Sequence, residues 1–285
     1  MTIHYVSSRL ENIDIFTEED VAKLRQHASA HPLSKLINSP RWKEESAIDF
    51  TYTSAQIEGN TYTRADTITL LKEGITAGGK SFYEATMIVN LRDTYKMLLE
   101  KAGDIVADPL RGIRTIHKSL MKGLLPEDQL GSTRKTTNAR IGGSEYVPPN
   151  GVKYIEKQAA RVFENLEKTT DTFSASIYAA CNLSYIQFFE DGNKRTSRVF
   201  QNAVLMAANL PPLQFPVTMN SQYIEAQLTY YEEGDYSFHR GFMMEAFRNA
   251  YPLEELQQTA VSSSFLGILK GQVEPSRATS LDKKP

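Results

Sequence analysis

The fold of this chain is decided by the stretch Gln187-Phe188-Phe189-Glu190-Asp191-Gly192-Asn193-Lys194-Arg195-Thr196-Ser197-Arg198. It joins two segments, 173–186 and 199–210, that are apolar around nearly the whole circumference of a helix. Helices of this kind are buried. They should therefore hold the charged loop between them in a fixed shape, as a binding site requires.

The second half of the loop has the composition of an anion-binding helix start. Gly192 permits backbone shapes that other residues resist, and residues 193–195 then open a helix whose free amides attract phosphate. Arg195 and Arg198 share one helical face, and each guanidinium can bind a pair of phosphate oxygens. Lys194 adds a third cation. The pattern predicts a cradle for a nucleotide triphosphate.

Asp191, just before this helix, could hold Mg²⁺, which suits one carboxylate together with substrate phosphates. The alternative is that Asp191 is an ordinary N-cap and that Lys194, Arg195 and Arg198 form a solvated first turn. Cations at a helix N-terminus oppose the helix dipole, which favours a site. Composition alone leaves the two interpretations about even.

Helix signals dominate the rest of the chain. Hydroxyl and carboxyl residues three apart predict helix starts at Thr17, Thr63 and Ser81, and Ser39-Pro40 indicates an N-cap followed by a first-turn proline. The predicted helices cover 41–58, 82–102 (stopping at Gly103), 110–123, 153–168, 173–187, 194–208, 220–232, 236–249 and 252–268. The tail after Gly271 is polar and is expected to be mobile.

One segment carries strand signals instead. Residues 136–141, the pair Gly142-Gly143 and residues 145–147 predict a short hairpin that ends at Pro148-Pro149. A lone hairpin is marginally stable, so it should lie against the helices. The predicted fold class is all-α, a helical bundle with a short β-hairpin flap.

Composition limits the class of partner. The formal net charge of -2 argues against bulk attraction to nucleic acid or to an anionic membrane. Cys181 is the single cysteine and excludes an internal disulfide framework. The N-terminus has no signal-peptide pattern and no apolar run approaches a membrane span. We therefore predict a soluble cytoplasmic protein.

The central loop resembles the signature of the Fic-domain family, written HPFx(D/E)GN(G/K)R followed by xxR. The matching positions are Phe189, Asp191, Gly192, Asn193, Lys194, Arg195 and Arg198. Two further segments match family patterns in the expected order. Ile141-Gly142-Gly143 with Tyr146-Val147-Pro148-Pro149 is similar to the flap that aligns a target segment, and Ser54-Ala55-Gln56-Ile57-Glu58-Gly59 fits the inhibitory pattern (S/T)xxxE(G/N).

The resemblance implies transfer of AMP from ATP to a hydroxyl of a target protein. By that resemblance Asp191 binds Mg²⁺, and Gly192 and Asn193 hold the α-phosphate. Arg195 and Arg198, beside Lys194, hold the β- and γ-phosphates. Ser54 and Glu58 belong to an inhibitory helix, on which Glu58 pairs with Arg198 and displaces the γ-phosphate. Ile141, Gly142, Gly143 and Tyr146 belong to the flap at which an unknown protein target docks.

The chain departs from the family at two positions. The family's histidine, which takes the proton from the attacking hydroxyl, falls at Gln187, and the family's proline falls at Phe188. A glutamine amide does not titrate near pH 7, and losing a general base typically costs about 10²–10⁴ in rate. No histidine lies in the three motifs. His117 shares a helical face with Ile113 and Leu120, which predicts a packed structural role.

Two functions stay open on the sequence. The first is an impaired, autoinhibited protein adenylyltransferase that uses ATP and Mg²⁺. The second is a degenerate Fic module that binds a nucleotide or a peptide without chemistry; transfer of another group is a third possibility. The domain prediction is an N-terminal helical region at 1–80, a Fic core at 81–250 and a C-terminal helix and tail at 251–285. A homo-oligomer is possible, and neither nucleic acid nor membrane is expected as a partner.

Overall fold

Helices form nearly all of the regular structure of this protein. The computed structural model describes residues 2–137 and 139–253. The helices are α1 (Glu18–Ala30), α2 (Leu33–Leu36), α3 (Pro40–Ile57), α4 (Arg64–Glu73), α5 (Phe82–Ala107), α6 (Pro109–Met121), α7 (Val152–Leu166), α8 (Thr172–Ile186), α9 (Asn193–Ala207), α10 (Asn220–Glu233) and α11 (Ser237–Ala250). Two short strands, β1 (Ile3–His4) and β2 (Tyr146–Val147), form a parallel pair. The all-α prediction is confirmed.

Local capping signals set the helix starts. Thr17, Thr63 and Ser81 each accept a hydrogen bond from the backbone three residues on, and the acidic side chain at that position returns one. These reciprocal bonds satisfy amides that have no partner inside the helix. At α3 the Ser39 side chain accepts from the Trp42 amide, and Pro40 occupies the first helical position. The predicted starts are confirmed.

The predicted end of α5 at Gly103 is wrong. The helix runs on to Ala107 after a kink at Lys101, whose φ is -129°. Ala102 and Ile105 are buried beyond the kink, and their burial outweighs the cost of about 1 kcal/mol that a helical glycine carries. The predicted helix over 252–268 and the tail after it lie outside the described residues.

The centre of the protein is the pair α8 and α9. Every residue of α8 from Phe173 to Ile186 is buried, and α9 packs against α8, α5 and α6. The inhibitory segment lies on α3, which packs on α5. The loop 187–192 therefore emerges from the core and turns straight back into it, as the two apolar segments predicted.

The predicted pairing of the flap is wrong. A turn closes at Gly142-Gly143, where the Ser144 amide donates to the Ile141 carbonyl at 3.3 Å. The strand that follows, β2, pairs with β1 instead of with residues 136–141, and the described part of 136–141 contains no strand. β2 pairs with β1 because the amides of Ile3 and Tyr5 donate to the carbonyls of residues 145 and 147, both at 3.1 Å.

The described residues up to Tyr251 form one compact unit. The proposed boundary between residues 80 and 81 stays a prediction. Within 2–137 and 139–253, none of the helices combines the length and the apolar composition that crossing a membrane requires.

Candidate functional site

Two left-handed residues shape the central loop. Gln187 ends α8 with φ 47°, and Gly192 precedes α9 with φ 74°. Only glycine adopts such a φ without strain. At Gly192 space demands glycine as well, because a Cβ atom there would lie 2.6 Å from the Met121 sulfur. Phe188 and Phe189 between the two turns are buried, so the loop is fixed at both ends and in the middle.

Asn193 braces the loop from inside. Its Oδ1 accepts from the Phe189 amide at 2.8 Å, and its Nδ2 donates to the Phe189 carbonyl at 2.8 Å and to Gln187 Oε1 at 3.1 Å. The side chain therefore holds the loop shape.

The start of α9 lacks a side-chain cap. Gly192 is the N-cap residue, and among the described residues no side chain accepts from the first-turn amides of α9. At α8, by contrast, Asp171 accepts from two such amides at 2.9 Å. Free amides and the helix dipole leave the α9 start open to an anion. The alternative that Asp191 is an ordinary N-cap is wrong.

The two arginines of this helix are buried. Arg195 is 2% exposed and Arg198 is 4% exposed, so the alternative of a solvated first turn is wrong for both. Each guanidinium leaves Nε and Nη1 without a hydrogen-bond partner among the described residues. Buried polar groups are normally hydrogen-bonded. Four unpaired donors at one helix start therefore point to a missing acceptor.

Glu58, at the C-terminus of α3, neutralises this pair in part. Its Oε1 accepts from Arg198 Nη2 at 2.7 Å, and its Oε2 lies 3.4 Å from Arg195 Nε. The Ser54 carbonyl is 3.5 Å from the same Arg198 nitrogen. The side chain of Glu58 is only 15% exposed and so does not face solvent. One carboxylate at the C-terminus of α3 therefore contacts both arginines.

Charge keeps this carboxylate ionised. Burial raises the pKa of Glu58, but the guanidinium groups of Arg198 and then Arg195 outweigh it and hold that pKa below its usual value. Burial also lowers the pKa of Lys194 at the same helix start. Asp191 forms an ion pair with Arg195, 3.1 Å between Oδ2 and Nη2, and its side chain is 55% exposed.

A cavity of about 320 Å³ lies between this loop and the flap, and we call it the flap cavity. It brings together most of the predicted site residues: Glu58, Ile141, Gly142, Gln187, Asp191, Gly192, Asn193 and Lys194. Five predicted site residues are outside its lining: Ser54, Gly143, Tyr146, Arg195 and Arg198. Tyr146 is buried, its hydroxyl donates to the Tyr185 carbonyl at 2.8 Å, and its ring stacks on Tyr185. Its side chain therefore anchors the flap to the core and presents no surface to a docked target.

Gln187 is held on both sides of its amide. Nε2 donates to the Ser184 carbonyl at 2.7 Å, and Oε1 accepts from Asn193 Nδ2 at 3.1 Å. The side chain is thus oriented by the loop, and neither of its polar atoms is a base near neutral pH.

Two residues that sequence reasoning missed tie the flap to the loop. The buried guanidinium of Arg134 donates to the carbonyls of Gln187 (3.0 Å), Pro149 (2.6 Å) and Thr136. Glu190 accepts from the amides of residues 135 and 136 at 2.7 and 3.2 Å. Glu190 follows two phenylalanines of the central motif, but nothing near Arg134 in the sequence marks it.

His117 is a second support that the motif does not reveal. Its Nδ1 accepts from the Gly131 amide at 2.8 Å, so Nε2 carries the hydrogen and donates to the Asp191 carbonyl at 3.0 Å. The ring stacks on Phe189 with 3.9 Å between centroids. The packed structural role is confirmed, and the packing is against the candidate site itself.

The two buried histidines should make the protein acid-sensitive. Burial lowers the pKa of His117 and of His239 to about 4, so both stay neutral in the fold and charge on unfolding. Between about pH 4.5 and 6 the unfolded chain binds more protons than the folded chain. The free energy of unfolding therefore decreases as the pH is lowered. Each histidine contributes up to about 1.4 kcal/mol per pH unit. His239→Phe should lower this slope in urea unfolding by up to about 1.4 kcal/mol per pH unit, and the difference from wild type should stop changing above pH 7; an unchanged slope contradicts the assignment.

The fold and the loop define a class of helical protein. In this class one helix start has no side-chain cap and is lined by cations, and a carboxylate from another helix pairs with those cations. Residues 109–205 match the model of the Fic/DOC family. Curated relatives named "Protein adenylyltransferase Fic" from Drosophila grimshawi and Drosophila mojavensis are each 30% identical over 186 residues, 64% of this chain. The chain spans 38% and 36% of their respective lengths.

Two solved structures show the fold. Fic-1 from C. elegans superposes with a TM-score of 0.67 at 22% identity, covering 82% of this chain and 70% of that one. A Fic family protein from Desulfovibrio desulfuricans G20 superposes with a TM-score of 0.67 at 21% identity, covering 87% and 76%. The helical architecture is therefore that of Fic proteins.

Proposed function

We propose that this chain is a Fic-type AMP-transferase domain that binds ATP with Mg²⁺, is autoinhibited by Glu58 and is slow because Gln187 replaces the general base. One observation carries the proposal. The two buried arginines at an uncapped helix start have four unpaired donors, and a single carboxylate from another helix covers them. The relatives' name supports AMP as the transferred group.

The residues fit a nucleotide triphosphate and Mg²⁺. Phosphate oxygens would supply the acceptors that the buried nitrogens of Arg195 and Arg198 lack. Asp191 would be the protein's ligand to Mg²⁺, since this ion is commonly bound by one carboxylate together with substrate phosphates. Mg²⁺ ordinarily completes its shell with water and substrate phosphates, and it would neutralise phosphate charge.

In the proposed reaction a target hydroxyl oxygen bonds to the α-phosphorus. The bond from that phosphorus to the bridging oxygen breaks, pyrophosphate leaves, and the hydroxyl proton needs an acceptor. The Gln187 amide orients but does not take this proton, so water must. Phosphoryl transfer depends mainly on positioning and charge stabilisation, which the brace of Asn193 and Arg134 provides, so a reduced rate is expected instead of none.

Glu58 makes the domain a two-state switch. With Glu58 on Arg198 the γ-phosphate position is taken; with the C-terminus of α3 moved away, the arginines are free. A ligand shifts such an equilibrium by its differential affinity for the two states. ATP therefore competes with a covalently tethered carboxylate, and the resting protein should bind it weakly.

The second candidate is a binding module without chemistry. The observation in its favour is that both polar atoms of Gln187 are engaged within the loop. Such a module would hold a nucleotide in the loop, or a peptide at the flap, as a regulatory signal.

Label transfer separates the two candidates. Wild type, Glu58→Gly, Gln187→His and the double variant are incubated with Mg²⁺ and ATP labelled at the α-phosphate, alone and with a cell lysate. Label on protein with Glu58→Gly supports an enzyme. Nucleotide binding without label in all four proteins supports the module, and no nucleotide binding by any of the four rejects both.

A further inference from the structure

A second and larger cavity, of about 590 Å³, lies beside α3 on the other side of the Glu58–Arg198 pair; we call it the α3 cavity. Glu58 lines the flap cavity, Arg198 lines the α3 cavity, and their ion pair of 2.7 Å stands between the two. The lining residues of the α3 cavity include Phe50, Thr53, Ser54, Arg198, Phe215 and Tyr223. A volume of this size falls within the range of about 300–1,000 Å³ that is usual for small-molecule sites.

The walls of the α3 cavity are aromatic and mutually packed. Phe215 stacks on Tyr223 with 5.6 Å between centroids and meets Phe242 edge-on at 4.7 Å. The Thr53 hydroxyl donates to the Phe215 carbonyl at 3.2 Å and joins this wall to α3. Rigid aromatic walls favour a flat apolar ligand, because such a ligand gains contact area without ordering the protein.

Two buried polar side chains line the same cavity and keep bonding capacity towards it. Arg198 is 4% exposed and pairs with Glu58 through Nη2 only, and Tyr223 is 3% exposed with its hydroxyl next to the Arg198 guanidinium. The Arg198 guanidinium carbon lies 5.6 Å from the Tyr223 ring centroid. The polar groups of the two side chains therefore lie close together at one end of the α3 cavity.

The local charge decides what they accept. The charged residues in the lining are Arg64, Arg198 and Asp49, two positive charges against one negative. At the rim of the cavity Asp49 and Arg64 pair at 2.8 Å and cancel. A ligand with one negative charge is thus favoured over a neutral or a cationic one.

We propose that the α3 cavity binds a small aromatic carboxylate, whose ring lies against Phe215 and Tyr223 and whose carboxylate accepts from Arg198 and the Tyr223 hydroxyl. The site itself does not depend on the proposed AMP transfer. Because the ligand carboxylate and Glu58 share one guanidinium, each weakens the hold of the other. By linkage this effect is reciprocal: the factor by which the Glu58 charge weakens ligand binding equals the factor by which bound ligand weakens the Glu58–Arg198 ion pair. A change that removes the charge of Glu58 therefore strengthens ligand binding.

The test uses 2-naphthoate as the probe and its uncharged methyl ester as the matched control, titrated by calorimetry in the absence of nucleotide. Wild type should bind the acid saturably and the ester at least about tenfold more weakly, as expected for a lost charged hydrogen bond. Glu58→Gln should bind the acid several-fold more tightly than wild type. Tyr223→Phe, which removes only the hydroxyl, should bind it several-fold more weakly.

Location is tested with two tryptophan variants. Val217 lines the cavity and is half-buried, so Val217→Trp should fill it and abolish binding. Ile224 is 40% exposed on α10 and is outside the lining, so Ile224→Trp should bind as wild type does. No saturable binding, equal binding of acid and ester, or undiminished binding by Val217→Trp overturns the proposal. None of these results bears on ATP binding, which is measured separately.

Discussion

Replacing Glu58 by glutamine should lower the free energy of unfolding by about 3–5 kcal/mol, the usual cost of removing one partner of a buried ion pair. Glutamine keeps the shape and one acceptor oxygen, so the loss comes from charge. The Arg198 guanidinium, 4% exposed, is left without a counter-charge, and Arg195 keeps only Asp191, at 3.1 Å. Urea unfolding at pH 7.5 measures the change.

The chain provides a matched control on the same helix. Glu45 pairs with Arg41 at 2.8 Å, but both side chains are more than half exposed. Glu45→Gln should therefore change stability by less than about 1 kcal/mol. Inorganic triphosphate should restore much of the stability lost in Glu58→Gln and should add little to wild type. Equal losses in the two variants, or no rescue, would show that Glu58 does not cover an anion site.

Replacing Gln187 by histidine in a Glu58→Gly background should raise the rate of AMP transfer by about 10²–10⁴, the usual contribution of a general base. The backbone tolerates this change, because histidine is among the residues enriched at positive φ and Gln187 has φ 47°. The gain should appear in kcat, with KM for ATP little changed, since Arg195 and Arg198 are untouched. Initial rates of label transfer measure it.

Gln187→Asn is the control for this prediction. Asparagine also adopts positive φ but offers no base, so it should give no gain. If Gln187→His binds Mg²⁺ and ATP yet transfers no faster than Gln187→Asn, the loop is not arranged for transfer, and the binding module becomes the better account.

Local signals made much of the fold predictable. Thr17, Thr63, Ser39 and Ser81 start helices through bonds to residues three positions on, and such bonds depend on adjacent sequence only. The loop itself was readable for the same reason, since Gly192 and the cations after it are neighbours in the chain. The match of Glu58 to a family pattern supplied the one long-range contact that was expected.

Long-range contacts account for what was missed. Arg134 binds backbone carbonyls on the loop and the flap, and carbonyls leave no trace in a sequence. The pairing of β2 with β1 joins residues more than 140 positions apart, while the turn at Gly142-Gly143 made the local hairpin the natural expectation. Tyr146 looked like a flap residue, yet its ring is part of a buried aromatic cluster.

The central claim is that Glu58 closes an anion cradle formed by the start of α9. Calorimetric titration of Mg²⁺ and ATP into wild type, Glu58→Gly and Glu58→Gly with Arg195→Ala tests it most directly. Wild type should bind weakly, Glu58→Gly at least about tenfold more tightly, in line with the loss of one competing charged hydrogen bond, and the double variant weakly again. Equal affinity of wild type and Glu58→Gly, or binding that survives Arg195→Ala, would contradict the claim.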